Sequence, residues 1–348
     1  MLRWSLLLGL ALALPPAAVG QQPQWQFRGD GQWEQAAAPA TAPVPDETLD
    51  RIEQMLQNNQ AAAAKKMVVS WIRRQPDAPN RDRAVFLLGQ ANFQLGSRIM
   101  AFYNFDELLD LYPASAYYHP ALQRQFDIAD EFLSGYKRRF LGMPIISATT
   151  EATEMLYRIQ QRAPGSPLAE KALLRAADYY YATAQYDVAA DAYAAYVRSY
   201  PRSPYLPRVR LRQAFSSLAQ FRGVKFDATH IIDARQQLID LAVAYPDVAA
   251  EEKVLALVDR IDAALADKLL VTGDFYRRTG KPRGAVYYYR ALLRTFPAYP
   301  QAREAERRLA EMPPSALSEL ELPEAVRKRM AGAAATQPTP SSTGPQSR

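Results

Sequence analysis

Residues 186–201 read YDVAADAYAAYVRSYP, and this stretch holds the pattern that decides the fold. Its last residue, Pro201, is preceded by Ala189 at twelve positions, and by Tyr193 and Tyr196 at eight and five. These spacings place the three side chains on one stripe of a helix. The proline ends the helix because it lacks an N–H group and crowds the preceding turn. The stretch therefore predicts a helix whose alanine lets a second helix approach closely.

The same pattern occurs six times along the chain. Each proline follows an alanine at twelve positions and bulky apolar residues at eight and five. The prolines are Pro76, Pro113, Pro164, Pro201, Pro246 and Pro297; the alanines are Ala64, Ala101, Ala152, Ala189, Ala234 and Ala285. In three units a small residue also lies 24 positions before the proline, at Gly89, Ala177 and Gly273. A helix–turn–helix unit of about 34 residues with these features is the tetratricopeptide template.

The repeats predict an all-α fold, a right-handed α-solenoid of about six tetratricopeptide-like helix pairs. The spacing between successive prolines varies from 37 to 51 residues. We therefore expect insertions or lengthened helices in the third and fifth pairs, and a long helix near 248–279 before the sixth. A final helix over 300–311 would cap the array. The first helix of each pair would line a concave face.

The beginning of the chain is typical of a secretion signal. Arg3 supplies a positive charge, Leu6–Leu14 forms an apolar run, and small residues follow up to Gly20. The apolar run is short for a membrane span, which disfavours the alternative of an uncleaved anchor. The predicted organisation is a signal peptide (1–20), a flexible linker rich in Gln, Ala and Pro (21–45), the repeat domain (46–312), a short helix (313–330) and a disordered tail (331–348).

The composition argues against most kinds of chemistry. The 348 residues include no cysteine, which excludes disulfides, cysteine nucleophiles and thiolate metal sites. The two histidines, His119 and His230, fall in predicted connections between helices, without a second ligand at metal spacing. No phosphate-binding loop, HExxH or GxSxG motif occurs. We therefore expect a binding scaffold rather than an enzyme, with no catalytic residue, metal site or cofactor.

The charge pattern also bears on the partner. The net charge is +6, and the basic residues are scattered along predicted helices, often beside acids. Nucleic-acid binding favours basic residues clustered on one face. We therefore expect protein partners and no nucleic acid.

Counting along the first helices of the first two pairs selects the candidate binding residues. The side chains expected to face the groove are Glu53, Gln57, Arg83, Phe86, Gln90 and Phe93. They combine aromatic and hydrogen-bonding groups, which suits an extended peptide or a partner segment. The alternative is that some of them are buried between neighbouring pairs.

Three segments carry a resemblance to a known family. They are YDVAADAYAAYVRSYPRSPYLPRVRLRQA (186–214), FDATHIIDARQQLIDLAVAYP (226–246) and LADKLLVTGDFYRRTGKPRGAVYYYRALLRTFP (265–297). The body of the chain, roughly residues 50–312, resembles the BamD family. Members of this family are helical-repeat components of the machine that inserts β-barrel proteins into the bacterial outer membrane.

The resemblance implies a periplasmic scaffold at the periphery of the outer membrane. Its implied partners are a barrel-forming assembly component and unfolded outer-membrane proteins. Two features depart from the family: the lipidated cysteine is missing, and six units replace the usual five. Membrane association would therefore run through partners rather than a lipid anchor. The alternative function is a periplasmic repeat adaptor for cell-wall, division or secretion machinery.

Overall fold

The computed structural model covers the repeats and two short hairpins. It describes residues 25–27, 33–35, 46–135, 137–140, 143–147 and 149–317. The predicted signal peptide (1–20) and tail (331–348) lie outside the described residues, as do most of the predicted linker and of 313–330. The chain divides into two compact units, Met1–Ala176 and Ala177–Arg348.

The first unit contains three helix pairs. They are α1 (Glu47–Gln57) with α2 (Ala61–Arg74), α3 (Arg81–Gln94) with α4 (Arg98–Leu111), and α5 (Tyr118–Leu133) with α6 (Thr149–Arg162). Helix α2 also packs on α3, and α4 packs on α5, so each pair contacts the next. Helix α7 (Pro167–Ala182) begins in this unit and reaches the second.

The second unit continues the same arrangement. Its elements after α7 are α8 (Tyr186–Ser199), α9 (Leu206–Ala219), α10 (Thr229–Ala244), α11 (Pro246–Glu251), α12 (Val254–Arg278), α13 (Pro282–Thr295), α14 (Pro300–Ala310) and α15 (Pro314–Leu317). The long helix predicted near 248–279 is α12, and it starts after a left-handed residue, Lys253, that separates it from α11. The described residues thus form six helix pairs followed by a capping helix, α14, as predicted.

Two short hairpins were not predicted. Strands β1 (Trp25–Phe27) and β2 (Trp33–Gln35) pair antiparallel inside the segment predicted to be a linker. Strands β3 (Lys137–Phe140) and β4 (Met143–Ser147) pair antiparallel within the third helix pair. The insertion expected there is therefore partly β-structure. Strands of three to five residues are too short to produce the alternating apolar pattern that predicts a strand from sequence.

Full burial of the repeated alanines supports the predicted register. All six alanines of the pattern have an exposed fraction of 0%. The bulky residues four and seven positions later are also enclosed, and Trp71 is the most exposed of them at 1%. The alanines and the bulky residues are therefore core residues in every pair.

The second and sixth pairs contain an even closer contact between their two helices. A Cβ atom placed on Gly89 would lie 2.5 Å from Cε1 of Phe105, and one on Gly273 would lie 2.5 Å from Cε1 of Tyr289. A side chain at either glycine would collide with the aromatic ring. The fourth pair has Ala177 at this position, so a methyl group is accommodated there.

A network of one acid, one tyrosine and arginines recurs in the second unit. The Tyr193 hydroxyl donates to Asp178 (2.7 Å), and the same carboxylate accepts from Arg212 (2.6 Å) and Arg208 (2.9 Å). The Asp178 and Tyr193 side chains come from α7 and α8, whereas both arginines come from α9. The carboxylate therefore joins one pair to the next. Burial and the bond to Asp178 raise the pKa of Tyr193, so the phenol stays protonated and donates.

The sixth pair repeats this network at the same spacing. The Tyr289 hydroxyl donates to Asp274 (2.6 Å), and Nε of Arg308 lies 3.8 Å from the Asp274 carboxylate. In both copies the tyrosine follows the acid by 15 residues and the arginine follows by 34. Arg308 belongs to α14, so the capping helix occupies the place that the first helix of another pair would take.

Asp46 caps the first helix, α1, and connects it to α2. Its carboxylate accepts from the backbone N–H groups of Thr48 (2.8 Å) and Leu49 (3.0 Å) and from Nε1 of Trp71 (3.0 Å). Burial raises the pKa of Asp46, but these hydrogen bonds and one from Asn80 outweigh burial and lower the pKa overall. The ionised carboxylate therefore stabilises the start of α1 and ties it to α2.

We expect Ala64→Leu to destabilise the protein, and Ala63→Leu to leave it nearly unchanged. Ala64 is fully buried, so three added carbons force α2 away from its neighbours at a cost of about 1–3 kcal/mol. Ala63 is exposed on the same helix, so the matched change is expected to stay within about 0.5 kcal/mol. Thermal unfolding followed by circular dichroism measures the difference. Equal melting temperatures for the two variants would contradict the assigned register.

We expect Asp46→Asn to destabilise the protein by about 1 kcal/mol near neutral pH. An amide NH₂ cannot accept a hydrogen bond, so the bonds from Trp71 and Asn80, which share one carboxylate oxygen, are both lost. Because folding lowers the pKa of Asp46, its stabilisation is present above the unfolded pKa and is lost as the pH falls. The difference in the free energy of unfolding between wild type and variant should therefore disappear as the pH falls from about 5 to about 2. Urea titrations at several pH values test this, with the exposed neighbour Glu47→Gln as the control.

Candidate functional site

The candidate site is the face that the first helices of the pairs present in the first unit. The predicted residues Glu53 and Gln57 lie on α1, and Arg83, Phe86, Gln90 and Phe93 lie on α3. Helix α5 adds further residues beside α3. We call this surface the α1–α3–α5 face.

An ion-pair cluster occupies the α1 end of the face. Nη2 of Arg83 lies 2.5 Å from the Glu53 carboxylate, and Nη1 lies 2.7 Å from that of Asp50. Burial lowers the pKa of Arg83, but its hydrogen bonds to Glu53 and Asp50 outweigh burial and raise it. Arg83 is only 9% exposed, whereas the side chains of Glu53 and Asp50 are 44% and 53% exposed. The cluster therefore presents acids to solvent above a buried guanidinium.

Phe86 lies beneath the face rather than on it. Its ring stacks on Tyr117 with centroids 5.0 Å apart and contacts Phe105 at 5.7 Å. Only 9% of the residue is exposed. Phe86 and the Arg83 guanidinium are therefore buried rather than open on this face. The cause is Tyr117, the residue before α5, which closes over the ring.

A cationic and aromatic cluster occupies the other end of the face. Arg98 lies 3.9 Å and Arg124 lies 5.2 Å from the centroid of the half-buried Phe93 ring. Arg98 is held by Glu131 through bonds of 2.5 and 3.2 Å. The Arg124 side chain is 39% exposed and pairs with Asp127 at 3.3 Å. The guanidiniums and the ring form one surface, because cations are attracted to an aromatic face.

Two polar side chains complete the predicted set. Gln57 is exposed at the end of α1, and Gln90 is half-buried on α3 between the two clusters. Each amide carries both hydrogen-bond donors and an acceptor, which can pair with the backbone of an extended chain. The face thus changes along its length from acidic, through amide, to basic and aromatic.

Sequence counting missed Tyr117 and Arg124 because it covered only the first two pairs. A usable signal was present for Arg124. It follows Gln90 by 34 residues, the same spacing that separates Arg212 from Asp178 in the second unit. Arg124 therefore occupies an arginine position of the repeat.

The histidines lie within helices rather than in connections. His119 is in the first turn of α5, where burial lowers its pKa to about 4, and His230 is exposed in the first turn of α10. Among the described residues, no group of three or more His, Asp or Glu side chains has the geometry to hold a metal ion. Within the same part of the chain, no helix has the length and apolarity required to cross a bilayer.

Comparison with known proteins identifies a family. The model of the YfiO family, described as an outer membrane lipoprotein, matches residues 35–134 and 147–329. No curated protein matches the chain significantly. The family match covers most of the helices of both units.

Solved structures of repeat proteins are also similar to the chain, at low scores. Tetratricopeptide-like repeats of a putative kinesin light chain from Podosopora anserina are 15% identical, with a TM-score of 0.31, covering 59% of this chain and 95% of that one. PilW, described as a widely conserved type IV pilus biogenesis factor, is 16% identical, with a TM-score of 0.27, covering 74% and 96%. These scores carry no argument about function, which therefore depends on the family match.

We expect the Arg83–Glu53 pair to contribute modestly to stability. A double-mutant cycle with Arg83→Met and Glu53→Gln should give a coupling below about 1 kcal/mol, because Glu53 is partly exposed and Asp50 remains as a partner. The coupling should shrink further in high salt. Urea unfolding of the four proteins at low and high salt measures it. A coupling energy of about several kcal/mol that does not change with salt concentration would contradict this expectation, because it would show that solvent does not reach the pair.

Proposed function

The chain belongs to the YfiO family of outer membrane lipoproteins, and from this premise we propose that it is a periplasmic scaffold for the assembly of β-barrel outer-membrane proteins. YfiO is the BamD-like family, so the resemblance of segments 186–214, 226–246 and 265–297 is confirmed at the level of the family. The fold and the family together make the chain a protein-interaction scaffold. Its part in barrel assembly is the proposal.

The observation that supports placing this function on the α1–α3–α5 face is the set of polar and charged groups that the face presents. Acids of α1, amides at Gln57 and Gln90, and the guanidinium–Phe93 cluster lie along one side of the first unit. A face with hydrogen-bonding groups and few apolar anchors fits a polypeptide bound in extended form. We propose that unfolded outer-membrane proteins, or a barrel-forming assembly component, bind here.

Such a face would bind reversibly. Aromatic and arginine side chains are the usual hot spots of binding interfaces, but Phe86 and Arg83 are buried within the unit and are unavailable to a partner. The remaining contacts are half-exposed polar groups, and each contributes little after desolvation and ordering are counted. Weak binding suits a scaffold that must release each client.

Membrane association is proposed to run through protein partners. The sequence contains no cysteine, the residue that carries the lipid in bacterial lipoproteins. We place the protein in the periplasm at the outer-membrane periphery. No cofactor or catalytic step is part of this function.

The test is site-specific photocrosslinking in cells. Benzoylphenylalanine replaces Gln57 or Gln90 on the face, or, as a control, the exposed Ser70 on α2. We expect adducts with outer-membrane barrel polypeptides at Gln57 and Gln90, because a client in extended form would pass over both positions. The control position should give few or none. Mass spectrometry of the adducts identifies the partner.

Two outcomes would contradict the proposal. Equal crosslinking at Ser70 would remove the face as the binding site. Adducts dominated by peptidoglycan enzymes, division proteins or pilus components, with no barrel protein, would instead support the alternative of an adaptor for cell-wall, division or secretion machinery.

A further inference from the structure

A pocket in the second unit lies where the fifth helix pair is widened by an insertion. The connection between α9 and α10 is a loop over residues 220–228. This loop, the start of α8 and the start of α10 line a half-open pocket of about 650 Å³. That volume falls within the range of about 300–1,000 Å³ that is usual for ligand pockets.

The loop that forms one wall of the pocket is fastened in place. The Lys268 ammonium of α12 donates to the carbonyl oxygens of Val224 (3.2 Å) and Phe226. At the base of the loop, Nε2 of Gln220 donates to the carbonyls of Tyr186 (3.3 Å) and Ser216 (3.2 Å). These bonds tie the loop to α8 and α12. The wall of the pocket is therefore formed before any ligand arrives.

An aromatic side chain is held out to solvent by this loop. Phe226 lines the pocket and is 56% exposed, although its own carbonyl is bonded to Lys268. Tyr186, half-buried at the start of α8, lines the pocket as well. An apolar ring presented on a fixed backbone loses little entropy on binding, so it makes an effective anchor.

The charged groups of the lining determine which ligand fits. Asp187 and Asp227 are exposed acids, Arg222 is the one base, and His230 is an exposed histidine. With a neutral histidine the lining has a net charge of −1, in a chain whose total charge is +6. Hydrogen bonds from Thr229 and Ala228 lower the pKa of Asp227, so its carboxylate is ionised at neutral pH. The pocket is thus locally acidic within a basic protein.

We propose that this pocket binds a polypeptide segment in which a bulky apolar side chain stands next to a lysine or an arginine. The apolar side chain packs against Phe226 and Tyr186. The cation pairs with Asp187 and Asp227 and lies against the aromatic rings, which attract positive charge. This site uses residues of the second unit alone and does not depend on what binds the α1–α3–α5 face.

The test exploits the absence of cysteine in the sequence. Ala219→Cys introduces one thiol at the pocket, and Val243→Cys introduces one at a matched control position on α10 that is 81% exposed. Each variant is equilibrated with three peptides, Cys-Gly-Phe-Arg, Cys-Gly-Phe-Glu and Cys-Gly-Ala-Arg amides, each supplied as its disulfide with cysteamine, so that the protein thiol exchanges with the peptide disulfide and releases cysteamine in competition with added 2-mercaptoethanol. Intact-protein mass spectrometry then measures the fraction that carries each peptide as a mixed disulfide.

We expect the Phe-Arg peptide to be favoured about threefold or more over each other peptide at the pocket, and to show no preference at the control position. Adding Phe226→Ala to the Ala219→Cys protein should remove the advantage over Ala-Arg, and adding Asp187→Asn should reduce the advantage over Phe-Glu. Both residues are exposed, so neither change should unfold the protein. Equal labelling by all three peptides, or a preference that survives both changes, overturns the proposal.

Discussion

The packing of a small residue on one helix against a large aromatic ring on its neighbour is the contact on which the second and sixth pairs depend. In the second and sixth pairs, Gly89 and Gly273 leave no room for a Cβ atom beside Phe105 and Tyr289. Every alanine of the pattern is fully enclosed as well. The chain uses these close approaches in place of disulfides, because it has no cysteine. Close packing leaves little tolerance for added volume, which is why the pattern recurs at fixed spacing.

Sequence reasoning recovered the repeats because their signals are local. Proline ends a helix by its own chemistry, and the apolar stripe follows from helical geometry. The hairpin of β3 and β4 escaped because its strands are too short to show a period. The burial of Phe86 escaped for a different reason. It shares its helical stripe with the half-buried Gln90 and Phe93, and the ring of Tyr117, the residue before α5, covers it.

The two candidate binding surfaces also differ in how much of each could be predicted from local sequence signals. Counting along the regular helices α1 and α3 selected residues by position alone, and it could not tell that Arg83 and Phe86 are buried. Predicting the contribution of Arg124 would have required extending the count to the third pair. The pocket beside α9 and α10 could not be found in this way, because Phe226 and Asp227 belong to a loop without periodicity. Its wall is set by Lys268, which lies about 40 residues further along the chain.

Within the described residues, helix α14 follows the last helix pair and caps it. It supplies Arg308 to Asp274, as another repeat would, and buries Ala302, Ala305 and Leu309 against the sixth pair. On its other side it carries the exposed Arg303 and Arg307, the latter bonded to Glu304. A charged outer side of this kind is typical of a helix that caps a repeat array. Within the described residues, the helix that completes the last joint thereby carries charge where another pair would have to stack.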